Sequence, residues 1–135
     1  MTRQEIFDMA LNGIRRQGEP AFYNETCSYY ALDTGNRCAA GQLLDKEAAK
    51  KLAETGMGKW FNHNTSEDIM QEIRKIDIPD YLLTEDNIDF VKRIQNCHDY
   101  AAKNIPNNKR FMSEFEKRME EVAINHGLIY TQSEQ

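Results

Sequence analysis

The sequence predicts a single, mostly helical α+β domain in which a small antiparallel β-hairpin packs on four to five helices. Its 135 residues are enough for one ordinary domain and too few for two comfortable ones. Apolar residues recur three and four positions apart in several segments, which is the spacing of amphipathic helices. Between residues 27 and 43, two segments typical of strands flank a tight-turn sequence. We therefore expect one domain over residues 1–135, with residues 128–135 as a C-terminal tail.

The first helix is marked at both ends. Thr2 and Glu5 have the spacing of a capping box, in which each side chain accepts a hydrogen bond from the other residue's backbone N–H. An apolar stripe follows at helical spacing and consists of Phe7, Ala10, Leu11 and Ile14. Gly18 and Pro20 then end the helix.

The hairpin comes next. Residues 27–32 have the composition of a strand, and residues 37–43 return as its partner. The intervening turn contains Gly35, which is free to take a positive φ. This register places Ala31 opposite Cys38. Small residues and a glycine weaken the second strand, so the alternative is that Cys38 stands at the start of a helix.

Capping residues and apolar stripes predict four further helices in the rest of the chain. They cover residues 45–54, a segment from Thr65 to just before Pro79, residues 84–103 and about 109–125. The third of these carries two adjacent apolar stripes, as expected for a central helix packed on two sides. The line on the last helix is Met112, Phe115, Met119, Val122 and His126. Gly127 ends it, and residues 128–130 could add a short strand.

Composition and charge exclude several classes of protein. With 17 Lys and Arg against 22 Asp and Glu, the net charge is −5, which argues against sequence-independent nucleic-acid binding. No apolar run approaches the roughly 20 residues of a membrane-spanning helix. The N-terminal residues lack the apolar core of a secretory signal. We therefore expect a cytoplasmic protein with reduced thiols and no membrane contact.

Three polar residues occupy positions on the predicted apolar stripes. Gln95 and His98 continue one stripe of the central helix, and His126 continues that of the last helix. If buried, they need hydrogen-bond partners. We favour a structural network over a catalytic or metal-binding histidine, because buried histidines often serve only as hydrogen-bond partners of neighbouring groups. Asp99 points about 100° away from its neighbour His98, so the pair is not expected to form a His–Asp dyad.

The cysteines do not form a metal or disulfide pattern. Cys27, Cys38 and Cys97 are odd in number and contain no Cys-x-x-Cys pair, so we expect no disulfide framework, no metal and no cofactor. The hairpin register separates Cys27 from Cys38 by roughly 13 Å, too far for a bridge. The favoured interpretation of Cys38 is a small buried residue. The alternative is a nucleophile with His98 as its base.

Four short motifs run from the predicted hairpin to the end of the last helix. They are Cys-x-Tyr from Cys27, Gly-x-x-Cys-Ala-x-Gly-x-Leu from Gly35, the segment from Ile94 to Asp99, which corresponds to Leu-Gln-x-x-His-Asp, and Ala-x-x-His-x-Leu from Ala123. In these motifs the chain resembles a family of small uncharacterised proteins of bacteriophages and prophages. It departs from the family at Tyr30, where an Arg is common, and at Leu44-Asp45, where Ile-Pro-Asp is usual. The resemblance implies viral origin and expression inside a bacterial host, and it implies no activity.

The expected function is that of a non-enzymatic, accessory phage protein, a protein–protein interaction module that acts on a host component. One alternative is a Cys/His-dependent enzyme using Cys38 and His98. Another is a small-molecule binder using the aromatic loop around Trp60 and Phe61, which lies beside two glycines and could equally plug the edge of the core. The candidate binding residues are Tyr29, Trp60, Phe61, His63, Gln95, His98 and Asp99.

Overall fold

α-Helices carry most of the chain that is described in this computed structural model. The described residues are 2–23, 26–27, 30–31, 34–55, 71, 75–76, 78–104 and 107–132. The helices are α1 (Arg3–Gln17), α2 (Lys46–Thr55), α3 (Glu85–Ala101) and α4 (Asn108–His126). Short 3-10 turns cover Gly41–Leu43, Asp80–Leu83 and Ala102–Asn104. The helix predicted to begin at Thr65 lies almost entirely outside the described residues.

The predicted α+β class is wrong, because the described part of the chain has the architecture of an all-α fold. Within the described ranges, extended pairing is confined to β1 (Phe22–Tyr23) and β2 (Thr26–Cys27), which pair antiparallel over two residues each. A ladder of this length does not form a layer of the fold. The second strand of the predicted hairpin is also wrong, since residues 37–43 contain no strand.

Local hydrogen bonds explain why this segment turns. The N–H of Gln42 donates to the carbonyl of Cys38 at 3.0 Å, and that of Leu43 donates to the carbonyl of Ala40 at 3.1 Å. The Sγ of Cys38 accepts from the N–H of Gly41 at 3.3 Å. Alanine and glycine have low strand propensity, so the segment favours a turn that satisfies its own backbone. The alternative interpretation, with Cys38 at the start of a helix, agrees better with this short 3-10 turn.

The tight turn ahead of this segment has the predicted glycine conformation. Gly35 has a φ of 78°, in the left-handed region that glycine adopts without strain. The N–H of Ala31 donates to the carbonyl of Asn36 at 2.7 Å. The predicted partner of Ala31 was Cys38, so the turn closes two residues earlier than the predicted register and the pairing does not continue.

The predicted helix ends are largely confirmed. The capping box of α1 is present, with Thr2 and Glu5 exchanging hydrogen bonds of 3.0 and 3.1 Å. Asp45 caps α2 by accepting from the N–H of Ala48 at 2.8 Å. Gly127 ends α4 in the left-handed conformation. α3 begins one residue after Thr84, as predicted, but the threonine side chain does not cap it.

α3 is the centre of the described core, as its two apolar stripes predicted. Its buried residues are Phe90, Val91, Ile94, Gln95, Cys97, His98 and Ala101. α4 packs antiparallel beside it, with Phe90 against His126 at one end and Tyr100 beside Arg118 at the other. α1 contacts α3, α4 and the turn at Gly41–Leu43. None of the described helices is both long and apolar enough to cross a membrane.

The apolar face of α4 is rotated slightly from the predicted one. Its buried residues are Phe111, Phe115, Met119 and Ala123. The predicted members that are only half-buried are Met112, Val122 and His126. The ring of Phe111 stacks on that of Phe115 with centroids 5.9 Å apart. The larger ring at position 111 therefore occupies the core, and Met112 lies at its edge.

The C-terminal segment docks on α1 without forming the strand predicted for residues 128–130. The side-chain amide of Gln4 replaces a strand partner: its Oε1 accepts from the N–H of Ile129 at 2.8 Å, and its Nε2 donates to the Ile129 carbonyl at 3.0 Å. Further along, the Tyr130 hydroxyl donates to the Glu116 carboxylate at 2.5 Å. Arg15 binds the same carboxylate through two nitrogens. Side chains of α1 and α4 thus hold the tail.

Candidate functional site

A buried polar network on α3 joins three of the predicted site residues. Gln95 Nε2 donates to Asp99 Oδ1 at 2.7 Å, and His98 Nδ1 lies 3.1 Å from the same oxygen. The outer groups of the network reach other parts of the chain. Gln95 Oε1 accepts from the N–H of Ala40 at 2.8 Å, and His98 Nε2 accepts from the N–H of Ala21 at 3.2 Å. Side chains of α3 therefore hold the backbone at Ala21 and at Ala40.

The hydrogen bonds of His98 define its tautomer. Because Nε2 accepts from a backbone N–H, the ring proton is assigned to Nδ1, from which it is donated to Asp99. The ring is fully buried and meets the ring of Phe111 edge-on, with centroids 5.6 Å apart. The backbone partner of the ring is the N–H of Ala21, so His98 accepts a hydrogen bond from the loop after α1.

The expectation that Asp99 does not pair with His98 is wrong. Adjacent helical side chains leave the axis about 100° apart, but the short carboxylate of Asp99 bends back to the imidazole. Gln95, one turn earlier, holds the same oxygen from the other side. Asp99 is half-buried rather than exposed, and it serves as the shared acceptor of the network.

Cys38 lies in the 3-10 turn that this network holds. Its side chain is buried, at 2% exposure, and its Sγ accepts from the N–H of Gly41. Both nitrogens of His98 are engaged by groups other than a thiol. A base for nucleophilic catalysis needs a nitrogen within hydrogen-bond reach of the sulfur. This arrangement favours the structural interpretation of both residues.

Cys97 precedes His98 on α3, and its side chain takes no part in the network. Burial raises the pKa of its thiol to about 12, and its Sγ donates to the carbonyl of Arg93 at 3.3 Å. A protonated, buried thiol is a poor nucleophile. Within the described ranges, no three His, Cys, Asp or Glu side chains are grouped as metal ligands. The absence of a metal from the purified protein stays a prediction.

A second polar network, which the sequence did not predict, joins the end of α1 to the backbone of Arg37. At the end of α1, Gln17 Oε1 accepts from the N–H of Arg37 at 2.7 Å, and Gln17 Nε2 donates to the Arg37 carbonyl at 2.9 Å. Gln42 donates to that carbonyl and to Gln17, both at 3.1 Å. Gln42 lies so close to Gly13 that a Cβ there would be 2.3 Å from its Oε1. A glycine in the interior of a predicted helix was the available signal for this close approach.

The outer face of the α3–α4 pair contains an open cleft of about 180 Å³. Its polar lining residues include Arg93, Asn96, Arg118, Glu121 and Asn125. Tyr100 forms part of the wall and is 49% exposed. Two cations flank its ring: Lys103 Nζ lies 4.3 Å from the ring centroid, and Arg118 Cζ lies 4.7 Å from it. No pattern in the sequence predicts this cleft, because it combines exposed residues from two helices.

His126 lies at the end of this cleft. Its position on the apolar stripe had suggested that it would lie in the core. It is half-buried, and its Nδ1 accepts from Arg3 Nη1 at 3.5 Å. Partial burial, followed by the charges of Arg3 and Arg93, holds the pKa of His126 below its usual value. The ring is therefore neutral at pH 7 and lies in a positive electrostatic environment.

Four predicted binding residues lie outside the described residues: Tyr29, Trp60, Phe61 and His63. The others, Gln95, His98 and Asp99, are brought together in one network. No protein-family model, curated protein or solved structure matches this chain. Evidence about function therefore comes from the geometry of the chain itself and from the motifs of its sequence.

Proposed function

We propose that the protein is a non-enzymatic interaction module that binds another protein through the outer face of α3 and α4. The observation that carries this proposal is that each of these two helices exposes one large apolar side chain. Tyr100 is 49% exposed and Ile124 is 72% exposed. Ile124 lies three positions after the cleft residue Glu121 on α4, and it is not one of the residues that line the cleft. An exposed aromatic residue in the wall of a polar cleft, with an exposed aliphatic residue on the neighbouring helix, resembles the mixed character of protein interfaces.

The buried polar residues support a binding protein over an enzyme. Gln95 and His98 use their side-chain groups to hold the backbone at Ala40 and Ala21. The thiol of Cys97 is buried, and this burial strongly disfavours its ionisation. These groups stabilise the fold that presents the α3–α4 face. The alternative based on Cys38 and His98 is not favoured by this geometry.

The proposed partner is a bacterial host protein in the cytoplasm, and the chain is proposed to act as an accessory phage protein. Two features of the sequence support this choice. One is the resemblance to phage and prophage proteins in the motifs around Cys38, His98 and His126. The other is the net charge of −5, which disfavours nucleic acid as the partner.

The test is capture from bacterial lysate with tagged full-length protein, followed by reconstitution with the purified partner and measurement of the dissociation constant. We expect a direct complex that Ile124→Glu weakens at least about tenfold, because a central contact residue commonly contributes that much. Ile129→Glu is the matched control. Ile129 is 74% exposed but lies on the tail docked against α1. Equal binding by both variants would contradict the proposed surface, and absence of any direct partner would contradict the proposed function.

A further inference from the structure

The cleft on the α3–α4 face carries positive charge on an acidic protein. Arg93 comes from α3 and Arg118 from α4, and both line the cleft. Lys103 lies against the ring of Tyr100 in the cleft wall. Glu121 is the carboxylate among the cleft-lining residues. Because the whole chain has a net charge of −5, this concentration of cations is local.

The cations of the cleft also affect two ionisable side chains that line it. The charges of Arg3 and Arg93 add to burial in lowering the pKa of His126, at one end of the cleft. Arg118 acts in the same direction on Cys97, where it opposes the rise in pKa that burial causes and that the charge of Glu121 adds to. The effects of the arginines have the sign that a nearby positive charge produces. Arg93 and Arg118 therefore both lie close enough to act on side chains that line the cleft.

The polar groups of the cleft suit one small anionic group. Arginine offers a fork of N–H donors that matches a carboxylate or a phosphate. Asn96 and Asn125 add side-chain amides, one from each helix. The volume of about 180 Å³ accommodates a single such group with its neighbouring methylenes. The ring of Tyr100 supplies an apolar wall for those methylenes.

From this juxtaposition we infer that the cleft binds a side-chain carboxylate from an acidic segment of the partner protein. The inference rests on the proposed function and specifies the chemistry of the partner. A carboxylate is favoured over a phosphate because Glu121 lines the same cleft and repels a dianion more strongly than a monoanion. Arg118 is also paired with Glu114 at 2.8 Å, which lowers the charge available to a dianion.

The test uses isotope-labelled full-length protein and two-dimensional amide NMR. The probes are an acetylated, amidated tetraglutamate peptide, the corresponding tetraglutamine peptide, and inorganic phosphate. We expect tetraglutamate to shift the amides of Asn96, Tyr100 and Glu121 in a saturable manner, and tetraglutamine to leave them unchanged. Raising the salt concentration should weaken the binding, because both partners are exposed charges.

Two arginine variants make the test specific. Arg93→Gln should weaken tetraglutamate binding at least about fivefold, since it removes one charge-assisted contact. Arg110→Gln is the matched control, because Arg110 is exposed in the first turn of α4 and does not line the cleft. Both positions are exposed, so both variants should fold, and their amide spectra verify this.

Several outcomes would overturn the inference. They are equal shifts with tetraglutamine, equal weakening by Arg110→Gln, and tighter binding of phosphate than of tetraglutamate at the same amides. Each leaves the proposed function standing, because that is tested separately with the Ile124 variant and the captured partner. Conversely, tetraglutamate binding without any direct protein partner would contradict the proposed function and leave the carboxylate site intact.

Discussion

His98 offers the sharpest test of the buried network, because its two ring nitrogens perform different tasks. Nε2 accepts from the N–H of Ala21, and Nδ1 donates to Asp99. Asp99 keeps a second donor, Gln95, if the imidazole is lost. The described contacts of the Ala21 N–H contain no such second partner. The acceptor at Nε2 should therefore matter more to stability than the donor at Nδ1.

The size of the effect follows from burial and from the lost hydrogen bond. His98→Ala removes a fully buried ring, and large-to-small substitutions in a core cost about 2–5 kcal/mol. The buried N–H of Ala21 then lacks an acceptor, which adds about 1 kcal/mol or more. Since water can enter part of the space, we expect a total loss of about 3–4 kcal/mol in the free energy of unfolding.

Two isosteric variants separate the nitrogens. Glutamine places its amide oxygen near the position of Nε2 and can accept from Ala21, so His98→Gln should lose about 1–2 kcal/mol. Asparagine reaches only the position of Nδ1, so His98→Asn should be less stable than His98→Gln. Chemical denaturation at pH 7 measures the order, and hydrogen exchange measures protection of the Ala21 amide. If His98→Asn is as stable as His98→Gln or more stable, the different roles assigned to the two nitrogens are wrong. This comparison can be made even if the alanine variant fails to fold.

Three further predictions concern packing, ionisation and thiol reactivity. Gly13→Ala should destabilise the protein by about 1–2 kcal/mol, although alanine favours helix, because the new methyl group displaces Gln42. Chemical denaturation of Gly13→Ala, Gln42→Ala and the double variant checks this coupling. Burial and then the hydrogen bond to a carboxylate raise the pKa of Tyr130 to about 12, so its contribution to stability is complete below about pH 10 and is lost as the pH rises toward 12. An ultraviolet pH titration of wild type and Tyr130→Phe should differ only by a phenolate step near the upper value, and a step near pH 10 would contradict it. Cys38 and Cys97 should resist alkylation in the native protein at pH 8 and react in denaturant, as followed by peptide mass spectrometry; rapid native labelling of Cys38 would revive the nucleophile hypothesis.

Local features of the sequence determined the helix ends and the core of α3. The capping box at Thr2, the aspartate cap at Asp45 and the terminal Gly127 act within one turn of chain, so their geometry follows from neighbouring residues. Periodicity likewise placed Gln95 and His98 inside, because the aliphatic members of their stripe have to be buried with them.

The tertiary structure alone decided what those buried groups contact and where the chain departs from helix. A register of strands depends on partners distant in sequence, and here α3 offers Gln95 to the N–H of Ala40, which stabilises a turn where the composition of residues 37–43 allowed a strand. In the same way, the backbone of Ile129 in the tail pairs with the side-chain amide of Gln4 and not with a strand. The α3–α4 cleft joins exposed residues of two helices, such as Arg93 and Arg118, whose hydrophilic character leaves no periodic signal in the sequence. Pairings between distant segments are selected by the geometry of packing, and no local pattern encodes them.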